Sequence, residues 1–252
     1  MKALHRSPFL VATGLGVLLI VTLFLLKLLV SGIPYPLIRQ LLQGLGLVTL
    51  FYWINKAFLE VTVTFYNKRL TLLSQLITLT PLWLYMLWAN FPLLFELQPD
   101  HIFPAFVASL NAGFTEEYLI RGLILGYLLR FSQKKASYLW LSLLLSSIIF
   151  GVLHAPNFLV QPFEFTIYQI IASGLSGLFD GAIYLRTKSL IWVIFAHFLQ
   201  DFAALGSQGL EEAVHQTVQW PVLGMMLLVY GGLTLILLRS KRICSVFEHD
   251  WT

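Results

Sequence analysis

The chain has 252 residues, of which 58% are apolar and only 11% are Asp, Glu, Lys or Arg, against about 45–50% and about 25% in ordinary soluble domains. That balance excludes a water-soluble globule, and 20 phenylalanines with 7 tryptophans exclude a disordered chain. A net charge of +4 would indicate a nucleic-acid partner only on a water-exposed basic domain, and no such domain is present, so the expected surroundings are the lipid bilayer: an all-α, polytopic membrane protein.

Apolar runs long enough to cross a hydrocarbon core of about 30 Å recur along the chain. The first, Phe9 to Val30, is broken only by Lys27 and leads into Ile33-Pro34-Tyr35-Pro36 rather than a small-residue cleavage site, so it reads as a span and not as a removable signal. The others are Leu37 to Val61, Leu70 to Phe91, Ile102 to Leu129, Ala136 to Leu153, Phe165 to Leu185, Leu190 to Leu205 and Val218 to Leu238. About eight transmembrane helices around an intramembrane polar cavity are therefore expected. With eight crossings, both termini and every second loop face the cytoplasm, and the basic residues follow that alternation. Lys2 and Arg6, Lys68 and Arg69, Arg130 with Lys134 and Lys135, Arg186 and Lys188, and Arg239 with Lys241 and Arg242 fall on one side. Arg39 and the acids Glu96, Asp100, Glu164, Glu211 and Glu212 fall on the other. The lone Cys244 lies in the basic tail, which leaves neither a disulfide nor a cysteine metal cluster.

No Gly/Ser linker or repeat divides the chain, so one integral domain is expected. Residues 1–100 hold the first three helices, 101–206 hold helices four to seven with the residues capable of chemistry, and 207–252 hold the final helix and the basic tail.

A charge inside a span is costly, so each one is either a side chain that reaches the interface or a part of a site. Lys27 and Lys56 lie near span ends and read as interface-seeking. Within Thr115-Glu116-Glu117-Tyr118-Leu119-Ile120-Arg121, the adjacent carboxylates point in different directions. Glu117 and Arg121 stand four residues apart in the favourable order for an ion pair. Glu116 is left without a local cation and suits general-base work. Phe150-Gly151-Val152-Leu153-His154 precedes Ala155-Pro156-Asn157, and the proline places His154 near a helix end, where its ring can reach across a cavity. Asn157 reads as a turn residue close enough to hydrogen-bond there. In His197-Phe198-Leu199-Gln200-Asp201 the imidazole and carboxylate share a helix face near mid-span. Asp180 lies among Ser173, Gly177 and Gly181, small residues that permit close helix packing, and reads as a supporting partner of the site.

Glu-Glu-x-x-x-Arg, Phe-x-x-x-His and His-x-x-x-Asp, in this order on three spans, resemble the motifs of the CAAX protease and bacteriocin-processing (CPBP) family. These are intramembrane proteases related to the type II CAAX prenyl endopeptidase and to bacterial Abi proteins. The resemblance covers about residues 100 to 206, and Thr187-Lys188-Ser189-Leu190 is similar to the family's run into the third motif. It implies an intramembrane endopeptidase of the bacterial plasma membrane acting on a membrane-embedded or lipid-anchored peptide. Glu116 would activate water, His154 would hold it and His197 would face the oxyanion, with Glu117 and Arg121 in support. The family often has Asn where this chain has Asp201. An ionised Asp201 cannot donate to an oxyanion, so it is protonated, or orients His197, or joins Glu116, His154 and His197 as a ligand set for Zn²⁺ in a metalloprotease. Two other functions fit the same residues: a small proton- or ion-coupled transporter, and a non-catalytic immunity or scaffold protein of the same fold. Neither repeat symmetry nor matched broken helices favour transport.

Overall fold

The computed structural model describes residues 7–132, 135–210 and 218–239. Among these residues it is helical without strands. Lys2, Arg6, Lys134, Glu211, Glu212, Lys241, Arg242 and Cys244 lie outside them.

Helix α1 runs Pro8–Leu29 and α2 runs Pro36–Ile54, continued by a π-helical turn Asn55–Leu59. Proline opens both, in the first turn where its missing N–H costs nothing. The expected third span is not one straight helix. It divides into α3 (Leu72–Thr78) and α4 (Thr80–Ala89), bent by 59°, because Pro81 cannot continue the hydrogen-bonded ladder of the preceding turn. A short α5 (Phe91–Leu94) follows. Helix α6 (Pro99–Glu117) continues through a π-helical stretch, Tyr118–Leu125, into α7 (Gly126–Leu129). Helix α8 (Ala136–Val152) ends in a 3₁₀ turn, Ala155–Leu159, and α9 (Phe163–Thr187), α10 (Leu190–Gln208) and α11 (Trp220–Leu237) complete the bundle.

These elements correspond to the eight expected segments. Five are long and apolar enough to cross a membrane, and the bent α3–α4 pair makes a sixth. The other two long segments, α6–α7 and α9, contain Glu116, Glu117, Arg121 and Asp180. Leu25, Leu45 and Leu228 project from the outer faces of α1, α2 and α11, as hydrocarbon surroundings allow. The interior is mostly apolar, and Arg121 is among the largest fully buried side chains. The chain is an all-helical polytopic protein.

Two close approaches set the site. At Gly113 a β-carbon would lie 3.2 Å from the backbone of Ile194 and Phe198, so α6 and α10 touch main chain to main chain one turn from Glu116 and His197. At Gly151 it would lie 2.5 Å from the carbonyl oxygen of Ile170, which seats α8 directly on α9 just before His154. The start of α10 is fixed separately. Its first amides, Leu190 and Ile191, donate to the carbonyls of Thr64 and Phe65 in the extended segment after α2, satisfying groups a helix start leaves open. Buried Gln75 of α3 accepts from Ser189 and Trp192 at 2.7 Å each and anchors the same end.

Candidate active site

Glu116 and Glu117 end α6, and the wide π-helical stretch that begins at Tyr118 carries Arg121. π-helical turns inside α-helices are frequent at functional sites. The two neighbouring glutamates enter different environments.

Glu117 is fully buried, and its Oε1 receives two donors. Arg121 Nη1 lies at 2.7 Å and His197 Nδ1 at 2.8 Å. The expected Glu117–Arg121 pair is therefore present, but it does more than neutralise itself, since the same oxygen orients the histidine of α10. Arg121 also reaches Asp180 Oδ2 and the Gly177 carbonyl, both at 3.4 Å. Its guanidinium lies 4.4 Å from the centre of the Phe150 ring. The supporting position expected for Asp180 is observed. Arg121 thus ties α6, α8 and α9 together, which a planar group with five donors can do and an ammonium cannot.

The other ring nitrogen of His197, Nε2, faces Asp201 Oδ2 at 3.3 Å and Glu116 Oε2 at 3.9 Å. Both nitrogens thus point at carboxylate oxygens, and only the doubly protonated ring donates to both. Asp201 thus lies close enough to His197 Nε2 for an orienting role. Glu116 is different in kind from Glu117. Its side chain is 25% exposed and receives none of the bonds that hold Glu117 Oε1, although the Oε2 of both carboxylates is shielded and unpartnered.

Glu116, His154, Asn157, Asp180, His197 and Asp201 line one cavity of about 350 Å³, whose other polar walls are Gln169, Ser173, Ser176 and Gln200. All four residues expected to react are brought to this space. His154 stands at the end of α8, with Nδ1 3.2 Å from the Phe150 carbonyl and Nε2 3.5 Å from Ser173 Oγ. Ser173 is a neighbour that the motifs do not announce. A signal for it exists in the sequence: Gln169, Ser173, Ser176 and Asp180 fall at helical spacing on one face of α9.

The four residues that would be the ligands if Zn²⁺ were bound do not converge as placed. His154 turns toward Ser173, and among the described residues no three His, Cys, Asp or Glu side chains are grouped to hold a metal ion. The set Glu116, His154, His197 and Asp201 therefore does not fit a Zn²⁺ ion in this arrangement.

Two further residues depart from expectation. Lys27 does not seek the interface; its Nζ turns inward and donates to Asn157 Oδ1 at 2.5 Å. Asn157, expected as a turn residue, also donates to Gln169 Oε1 at 3.0 Å, linking α1, the 3₁₀ turn and α9. Lys56, by contrast, is exposed over the Trp53 ring.

Residues 98–203 match the family model described as Type II CAAX prenyl endopeptidase Rce1-like, in agreement with the resemblance read from the three motifs. The match supports a membrane protease function of the CAAX type. It contains every site residue named above except Lys27, and excludes α1 and α2. No curated protein and no solved structure matches the chain.

Proposed function

We propose that the chain is an intramembrane endopeptidase that hydrolyses a peptide bond of a membrane-embedded or lipid-anchored substrate, using water activated by Glu116. The observation that carries this reading is the contrast between the two glutamates. Glu117 is held through its Oε1 by Arg121 and His197, whereas Glu116 receives neither donor and lines a polar cavity shared with both histidines. A membrane-enclosed carboxylate beside room for water is what hydrolysis in a bilayer requires, and a structural carboxylate would be paired.

In this mechanism Glu116 takes a proton from water as the water oxygen attacks the scissile carbonyl. His154, across the cavity, holds that water. The tetrahedral oxyanion forms beside Nε2 of His197, whose N–H would stabilise it. Collapse breaks the C–N bond, and Glu116 returns the proton to the departing amine. Asp201 holds the ring of His197 before substrate arrives, and Glu117 with Arg121 fixes its other side. No step needs a covalent intermediate. The catalytic unit would lie within residues 101–206, with both termini on the cytoplasmic side.

The test is reconstitution in liposomes with a lipid-anchored peptide and mass spectrometry of the products. Two fragments whose masses sum to the peptide plus one water support the reading. An intact peptide, accompanied by proton or ion flux down a gradient, would sink it in favour of transport.

A further inference from the structure

A second cavity, of about 240 Å³, lies on the other side of Glu116, among α1, α2 and α6. It shares Ala112, Glu116, His154 and Asn157 with the first, so the two spaces meet at the proposed base. The wall opposite is polar for a membrane interior: Lys27, Gln40, Gln43, Asn111 and Thr115 line it. Helices α1 and α2, which supply Lys27, Gln40 and Gln43, lie outside the matched stretch.

Lys27 is the feature in need of explanation. It carries three donors, and the one hydrogen bond it makes goes to a neutral amide, Asn157. Ion pairs within 4.0 Å among the described residues join Arg121 or His197 to acids, and none includes Lys27. A cation turned into a bundle without a contacting carboxylate is costly. Lys27 and Glu116 line the same cavity, and an ammonium has two donors beyond the one given to Asn157.

We infer that this second cavity is a substrate subsite for a carboxylate of the peptide, with Lys27 as its counter-charge. The reading rests on the proposed hydrolysis at Glu116. A peptide lying across Glu116 would occupy both spaces at once. The carboxylate would meet the Lys27 ammonium and the side-chain amides of the wall, and Lys27 would stand between two anions, the ligand and Glu116, limiting their repulsion. The carboxylate has two sources: the free C-terminus of the substrate or an acidic side chain near the cleaved bond.

Matched peptides separate them. The reconstituted protein is given a peptide as free acid and as carboxamide, and a second pair with Asp or Asn beside the cleaved bond, with kcat and KM measured for each. The charged member of one pair is expected to have a KM lower by roughly tenfold or more, the yield of one charge-assisted hydrogen bond. Lys27→Met is expected to remove that difference and Lys27→Arg to keep it. Equal KM within both pairs, or a preference that survives Lys27→Met, overturns the subsite while leaving hydrolysis intact. Should Lys27→Met fail to fold, the wild-type pairs alone decide. Should no peptide be cleaved, the binding of fluorescent acid and amide forms to the wild-type protein decides instead: tighter binding of the acid form supports the subsite, and equal affinity overturns it.

Discussion

Adjacent glutamates in one helix should respond to very different extents to the same substitution, and the difference can be sized from their contacts. Glu117 Oε1 accepts two charge-assisted hydrogen bonds, from Arg121 at 2.7 Å and His197 at 2.8 Å, at a side chain with no exposed surface. Glu117→Gln preserves shape and can keep both donors on its single oxygen, but each bond loses its charge. A charge-assisted bond contributes about 1.5–3 kcal/mol and a neutral one about 0.5–1.5, so the two changes together cost about 2–3 kcal/mol. Asp180, at 3.4 Å, is then the nearest acid left to Arg121. Glu116→Gln breaks no such bond, because its nearest partner, His197 Nε2, is 3.9 Å away and its Oε2 is unpartnered. Its cost should stay within about 0.5 kcal/mol. Thermal unfolding in detergent, followed by tryptophan fluorescence, converts these figures into a fall of roughly 4–12 °C for Glu117→Gln and about 2 °C or less for Glu116→Gln. Equal shifts, or a larger one for Glu116→Gln, would refute the division of labour between the two carboxylates.

Two further substitutions probe the rest of the site. Asp201→Asn removes a charge competing for His197 Nε2 and adds a donor that can reach an oxyanion; steady-state cleavage should stay within about fivefold of wild type, and a hundredfold loss would show that the Asp201 charge itself is required. Gly151→Ala places a β-carbon 2.5 Å from the Ile170 carbonyl and 3.2 Å from the Gly174 amide nitrogen, both main-chain atoms that cannot rotate away. It should destabilise by about 1–3 kcal/mol and lower kcat by parting His154 from Ser173; unchanged melting and cleavage would show that α8 and α9 have room to spare.

Much of the fold was legible because hydrocarbon surroundings leave a coarse signature: apolar runs of span length separated by charged loops. The bend between α3 and α4 was not, since a proline can open a helix or break one and the sequence alone does not choose. The candidate site residues were legible for a related reason. Acids and histidines are so scarce in these spans that Glu116, His154, His197 and Asp201 stand out, and the 98–203 match encloses all four. The partners that hold them were harder to see. Glu117 serves Arg121 within its own helix, which the spacing reveals, and His197 eighty residues later, which it does not. Lys27 misled because nearness to the end of an apolar run says nothing of which way a side chain turns; only the packing of α1 beside the 3₁₀ turn decides that.

The central claim is that Glu116 activates water. Its most direct test is single-turnover cleavage of a reconstituted, lipid-anchored peptide by the wild-type protein and by Glu116→Gln, each first shown to melt normally. Loss of a general base lowers the chemical rate by about 10²–10⁴-fold, and a fall of that size is expected with peptide binding unchanged. Cleavage by Glu116→Gln within a few-fold of wild type would contradict the account.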